Sequence, residues 1–503
     1  MIFTQFPCAH LELILSFPGF QGESKKHTFS QPKYSLRSPG EAGKRVIFFI
    51  SLPRVASASR SYPGLLSFAP PGLGNGLPTR RNVRIVDSVS YRLFMASTAD
   101  SRTTARIPEW DGIRGAAILL VVFYHYIYGT VPENAGGIAG FIRAVFPLSW
   151  SGVDLFFVLS GFLIGGILMD QRESGNYFKT FYLRRVCRIV PLYFVWLILF
   201  LVLALAVSWR TSSEWLGTIF NREIPGFPRW GYFLFLQNLY IAKVGVFGSP
   251  WLAATWSLAV EEQFYLLLPL AIWLIRPKKR FGAFVLLIAL VPVLRTLFFL
   301  FHSGTFVYVL LPCRADALML GVLCAYFVRE PTWFARLERN RSWLHAIFVI
   351  LLLGIVGLTA FVRGPEIKIF NSFEMVTFGF TWIALFYACL LLMVATAKTG
   401  VLAGVFRSRL LRHFGLIAYG MFLMHMAVDC VAHGLILGKS SELRNFSDVA
   451  VTGLAFGVTW LLAVLSWRFL EMPIIRWGHS FRYLSNKKTP LPEEVPAVSP
   501  NSL

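Results

Sequence analysis

An all-α integral membrane fold, with about ten spanning helices and both termini in the cytoplasm, is what this chain predicts, and three observations carry the expectation. Hydrophobic residues make up 55% of its 503 residues and the mean hydropathy is +0.59, far outside the range of an ordinary soluble domain. Apolar runs near the ~20 residues that a helix needs to cross a bilayer recur along most of the chain. Basic residues gather in alternate connections between those runs, which is how a membrane protein is oriented. The formal net charge of +22 therefore reads as topology and not as a nucleic-acid surface. The six cysteines are scattered with no CxxC pair, so neither a disulfide framework nor a zinc site is indicated. No P-loop, dinucleotide fingerprint or GxSxG elbow is found.

Residues 1–94 stand apart. They are rich in Ser, Pro, Gly and Arg, and patches such as Val46–Leu52 are too short to span. Leu11–Phe17 makes a poor signal-peptide core, because Glu12 interrupts it and no charged stretch precedes it. The expectation is that Met95 is the true start; the alternative is a disordered basic arm on the cytoplasmic face. The spanning segments then fall at 113–131, 151–169, 188–208, 252–275, 282–300, 307–328, 343–362, 374–396, 413–434 and 450–471. Basic clusters at Arg184–Arg188, Arg276–Arg280, Arg329–Arg341 and Arg407–Arg412, with Arg476, Arg482, Lys487 and Lys488 in the tail, put both termini inside. The connection 209–251 is long and aromatic, suited to re-entering the membrane or covering a site. No internal repeat or transporter-like pair of broken helices is evident.

Polar groups inside the spans are costly to place in lipid and so point to function. Arg114 and His125, eleven residues apart, share one face of the first helix, about 16 Å apart along its axis. The plainer account has Arg114 snorkelling and His125 hydrogen-bonding between helices; the aligned pair, with further charges behind it, favours function. Glu261 and Glu262 sit at mid-depth in the fourth segment and point about 100° apart, so they cannot share one role. One is expected to face His125, the other an arginine or a helix end. Asp154, at the outer start of the second segment, either orients His125 or caps the helix. Arg314 and Asp316, near the outer end of the sixth, either bind an acceptor or pair with each other or a neighbour. His425, at mid-depth in the ninth, ranks below His125 as a lone structural histidine. Arg184 and Arg188 share a face at i,i+4, with Arg185 between them. Guanidinium forks suit phosphate oxygens, so the cluster beside Arg114 fits an anionic cofactor; for any single arginine the anchoring role is as good.

Six blocks in order resemble the acyltransferase 3 family of membrane O-acyltransferases, which modify bacterial surface glycans. They are Asp111-Gly112-Ile113-Arg114-Gly115 with His125, Gly152 to Phe162, Phe181 to Pro191, Trp256 to Tyr265, Arg314 to Ala317, and Glu471-Met472-Pro473. The match covers about 107–478, leaving 479–503 as a cytoplasmic tail. Glu109-Trp110 departs from the family, which usually has a leucine before Asp111-Gly112.

The resemblance implies a ten-helix protein of the bacterial inner membrane and an acyl-CoA, usually acetyl-CoA, as donor. It further implies Arg114 and His125 as essential, with the arginine block important for activity. Some members carry a C-terminal hydrolase-like domain. With about 30 residues after Pro473 the expectation here is the stand-alone form, acting on exopolysaccharide, O-antigen or a small sugar-containing acceptor. In the expected mechanism Arg114, Arg184, Arg185 and Arg188 hold CoA phosphates, and His125 deprotonates the acceptor hydroxyl, oriented by Asp154 or Glu261. Backbone or arginine donors stabilise the oxyanion, a histidine acyl intermediate being the variant. Partners are the acyl-CoA, a free or lipid-linked glycan, membrane lipids and glycan-assembly proteins, with no permanently bound cofactor and no metal. A different class, a proton-coupled transporter of a glycan or lipid precursor, uses His125, Glu261 and Glu262 as a relay. A third is a non-enzymatic component of a glycan-export complex.

Overall fold

The computed structural model describes residues 107–132, 135–208, 214–220, 224–361, 372–397 and 400–484. The 1–94 extension, the expected start at Met95 and most of the 479–503 tail lie outside the described residues. Among the described residues every regular element is helical, and ten helices are long and apolar enough to cross a membrane. They are α1 Pro108–Tyr126, α2 Gly152–Asp170, α3 Tyr177–Ser208, α4 Thr255–Leu274 and α5 Arg280–Phe301. Then follow α6 Leu311–Arg329, α7 Arg341–Phe361, α8 Phe380–Thr396, α9 Ala418–Leu437 and α10 Phe446–Ser466.

Most boundaries fall within about six residues of those read off hydropathy, and two of the differences bear on the site. The third helix starts at Tyr177, not 188, so the arginine block is helical and its side chains hold fixed directions. Hydropathy marks only the lipid-embedded part of a helix, and arginine is a good helix former that extends it beyond the bilayer. The ninth begins at Ala418, not 413, because Arg409–Leu416 is a separate short helix capped by the Ser408 hydroxyl. Pro473 has no N–H to give the carbonyl of Phe469, and α10 widens into a π turn over Trp467–Glu471 before continuing as Met472–Ser480.

Helix α2 is central, packed against α1, α4, α6 and α8. Its closest partner is α6. A Cβ at Gly161 would lie 1.9 Å from the Leu318 carbonyl oxygen, and one at Gly321 would lie 2.0 Å from that of Val158. Small residues facing each other let two backbones touch, the main source of helix association where lipid is as apolar as leucine. By contrast α5 and α7 are peripheral and turn leucines such as Leu286 and Leu353 outward.

The Asp111–Gly115 motif is built on the same device. Gly112 lies against the carbonyl of Phe406 and Gly115 against that of Leu411, while Gly415 returns the contact to Asp111. Arg407 Nε meets Glu109 Oε1 at 2.5 Å beside them. The first turns of α1 are thereby clamped to the Val401–Phe406 and Arg409–Leu416 helices at the basic end of the bundle. Segment 224–253 folds back as short helices that reach the level of the α4 carboxylates, where Asn238 exchanges amide hydrogen bonds with Gln263, the neighbour of Glu262, at 2.8 and 3.2 Å.

Candidate active site

At the basic end, α1, α3 and α4 bring most of the expected residues together. Arg114, Arg185 and Arg188 all lie within electrostatic range of Glu261. Glu262 faces Arg185, and its Oε1 is buried with no hydrogen-bond partner. Tyr265, one turn beyond Glu261, donates its hydroxyl to Glu261 Oε2 at 3.0 Å and also meets the hydroxyl of Ser160 from α2. Glu471, held in the π turn by the Ser466 hydroxyl at 2.9 Å, adds a third carboxylate near Arg188. Arg114 is steadied by Asp111 at 2.8 Å.

Arg184 faces the last described residues, donating from Nε to the Phe481 carbonyl at 3.0 Å with its guanidinium 5.0 Å over the Tyr483 ring. His479 lies within range of Arg184, Arg185 and Arg188, which makes this rim the most cationic part of the site. Going inward, the charge turns from arginine-dominated to mixed. Glu261, Glu262, Arg185 and Arg188 all keep partial accessibility although they sit inside the bundle.

His125 lies deeper, in the last turn of α1, about 16 Å along the axis from Arg114. Because the start of α1 is spent against the 401–416 helices, its last turn reaches the level at which α9 has made only two turns. There His425 meets it. The Nε2 of His425 is 3.1 Å from Nδ1 of His125, and the rings tilt at 58° with centroids 4.9 Å apart. Next to them Tyr126 donates its hydroxyl to the His425 carbonyl at 2.8 Å and lies 2.8 Å from the Thr459 hydroxyl of α10, pinning three helices at this level. His125 Nε2 has no hydrogen-bond partner among the described residues, and its ring stays partly accessible.

Two expectations are corrected here. Glu261 does not face His125: it shares the level of Arg114, about three turns away. Asp154 does not orient His125 either. It pairs at 2.5 Å with Arg314 of α6, both side chains 1% exposed. An aspartate at the start of α2 points toward α6 because the Gly161–Gly321 contact draws those helices together. Of the alternatives for Arg314 and Asp316, pairing with a neighbour is the one seen: each is paired, but not with the other. Asp316 accepts from Arg295 Nη1 at 3.0 Å, from Thr381 at 2.6 Å and from the Ala317 amide at 3.0 Å, leaving both oxygens occupied. Arg314 is walled in by Phe380, Tyr308 and Phe157, with ring centroids 4.4, 5.2 and 5.8 Å away. Arg314 and Asp316 are thus closed inside the bundle, away from any acceptor surface.

Sequence reasoning missed Arg295, Tyr265 and Ser160 and undervalued His425. Arg295 had a readable signal: it is a lone charge in the apolar run of α5, the same pattern that singled out Arg114. Its guanidinium is fully buried and also bonds the Val376 carbonyl at 2.5 Å and the Cys313 carbonyl at 3.0 Å. His425 had one as well, since it stands at the same predicted depth as His125.

A helical, multi-pass membrane protein, with an arginine-ringed entrance and a paired histidine below it, is the class that fold and site define. The chain belongs to the acyltransferase 3 family, whose acyltransferase domain matches residues 107–468. It is 29% identical over 394 residues to the peptidoglycan O-acetyltransferase OatA of Listeria monocytogenes, covering 74% of this chain and 56% of that protein. The putative peptidoglycan O-acetyltransferase YrhL of Bacillus subtilis is 29% identical over 409 residues, covering 76% and 56%. The O-acetyltransferase OatA of Staphylococcus aureus is 25% identical over 398 residues, covering 76% and 60%. The chain thus spans little more than half the length of these relatives. No solved structure matches it.

Proposed function

We propose that this protein is a membrane O-acetyltransferase that moves an acetyl group from acetyl-CoA to a hydroxyl of a surface glycan. In this reading it lies in the bacterial inner membrane with both termini in the cytoplasm, as the basic connections favour. The observation that carries the reading is His125, an imidazole inside the bundle with Nδ1 engaged and Nε2 free, behind a rim of guanidinium groups. Arg184, Arg185, Arg188 and Arg114 hold the phosphates of the donor, whose pantetheine arm runs inward toward His125. Nε2 takes the proton of the acceptor hydroxyl as its oxygen attacks the thioester carbonyl. The tetrahedral adduct collapses to the acetyl ester, and the departing CoA thiolate takes that proton back from Nε2 as CoA-SH. The imidazole is thus restored in each turnover with no net proton change. The names of the relatives favour a peptidoglycan-type acceptor.

The test is to incubate the purified protein in lipid vesicles with radiolabelled acetyl-CoA and soluble muropeptides, following thiol release and label on the glycan. Acceptor-dependent thiol release matched by label on the glycan is the expected result. A pH-driven flux of protons with no consumption of acetyl-CoA would overturn the reading and favour the transporter.

A further inference from the structure

We infer that His425 is the positioning residue of the site: it fixes which nitrogen of His125 carries the proton and supports the charge that His125 acquires. The inference deepens the proposed reaction and rests on His125 being its base.

The argument is one of hydrogen inventory. Nδ1 of His425 lies 2.8 Å from the Phe422 carbonyl oxygen and 3.2 Å from that of Met421. Carbonyl oxygens only accept, so this nitrogen carries a hydrogen. In the neutral ring Nε2 is then a lone pair, and it is aimed at His125 from 3.1 Å. Nδ1 of His125 also lies 3.0 Å from the Val121 carbonyl oxygen. Both neighbours of that nitrogen are therefore acceptors, so it carries the hydrogen and shares it between them. The remaining lone pair of His125 is on Nε2, the nitrogen with no partner and the one placed to receive a proton.

A carboxylate commonly plays this part for a catalytic histidine, holding the tautomer and steadying the imidazolium. Here the carboxylates hold other partners: Asp429, one turn along α9 from His425, accepts from the Ser441 hydroxyl, Asp154 pairs with Arg314, and Glu261 lies with Tyr265 and the arginines about three turns from His125. A neutral imidazole is a weaker support than a carboxylate but costs far less to bury, and His425 is fully buried. Its own orientation is fixed by two carbonyls of its helix and by Tyr126, which grips the His425 carbonyl. When Nε2 takes the acceptor proton, the Nδ1–H of His125 becomes a stronger donor. The His425 lone pair is then a better acceptor than the Val121 carbonyl alone.

The experiment compares His425→Leu, which removes the acceptor, with His425→Gln, whose side-chain oxygen reaches the same place. Each variant is prepared as the full-length protein in lipid vesicles and assayed with acetyl-CoA and muropeptides. His425→Leu is expected to lower kcat roughly 10–100-fold with the KM for acetyl-CoA within about twofold, and His425→Gln to recover most of that loss. Nitrogen NMR of histidine-labelled wild-type protein is expected to show both Nδ1 atoms protonated and both Nε2 atoms bare. Unchanged kcat in His425→Leu overturns the inference, as does an equal loss in the two variants when both are folded. Should neither variant fold, the spectrum decides, and His125 protonated on Nε2 overturns it. Full activity in His125→Ala would instead remove the base reading itself, a separate failure that His425 variants cannot mimic.

Discussion

Arg314 and Asp154 meet at 2.5 Å with both side chains all but sealed from solvent, yet Arg314 Nε and Nη1 and Asp154 Oδ2 have no partner of their own. The pair joins α2 to α6 at the level where Arg295 and Asp316 join α5 to α6, so four charges cancel inside one apolar layer. Asp154→Leu strands the arginine and is expected to cost about 3–5 kcal/mol, whereas the double replacement Asp154→Leu with Arg314→Met regains most of it. Unfolding followed in detergent micelles checks this. If the double variant is no more stable than the single one, the charges are not the reason for the loss.

His125→Ala removes the proposed base without opening a tightly packed core, since its ring is only partly buried. Acetyl transfer should fall to background while membrane yield and thermal midpoint stay near wild type. Wild-type turnover would exclude His125 from the chemistry. A protein that no longer inserts would assign the residue to helix packing.

Arg114→Lys keeps the positive charge but loses the planar fork that engages Asp111 and reaches toward Glu261. The apparent KM for acetyl-CoA is expected to rise roughly 10–150-fold, with the acceptor KM unmoved, as suits the loss of one charge-assisted contact of about 1.5–3 kcal/mol. An unchanged donor KM would mean that Arg114 only anchors α1.

Glu261→Gln and Glu262→Gln should part company, because their environments differ. Glu261 accepts the Tyr265 hydroxyl and faces three guanidiniums, and neutralising it is expected to destabilise the protein by about 1–3 kcal/mol. Glu262 has one oxygen without a hydrogen-bond partner and faces a single guanidinium, so its replacement should cost less, about 1 kcal/mol or below. Equal melting shifts in the two variants would break this assignment.

Gly112→Ala places a methyl 1.9 Å from the Phe406 carbonyl oxygen, so α1 must separate from the 401–416 helices. Backbone has to move, and a loss of more than ~3 kcal/mol or failure to accumulate in the membrane is expected. Gly357→Ala on α7 is the control. Its Cβ meets nothing within 4 Å, and helix propensity predicts neutrality or a gain of up to about 1 kcal/mol. Matching behaviour of the two alanines would refute the close-approach account of the Asp111–Gly115 motif.

Helix number, order and approximate bounds were legible from residue order alone, because lipid imposes one length and one composition on every span. Arg114, His125, Glu261 and the arginine block stood out for a related reason: a charge or imidazole in an apolar run is conspicuous without any knowledge of its neighbours. Who pairs with whom was not legible. Periodicity gives the face of a residue on its own helix but not the rotation of that helix in the bundle. The rotation is set by glycine contacts such as Gly161 with Leu318 and Gly112 with Phe406, which join residues far apart in the chain. Contacts of this kind set Asp154 against Arg314, as the hydrogen bonds of Tyr126 set His425 against His125, and all of them join residues far apart in the chain.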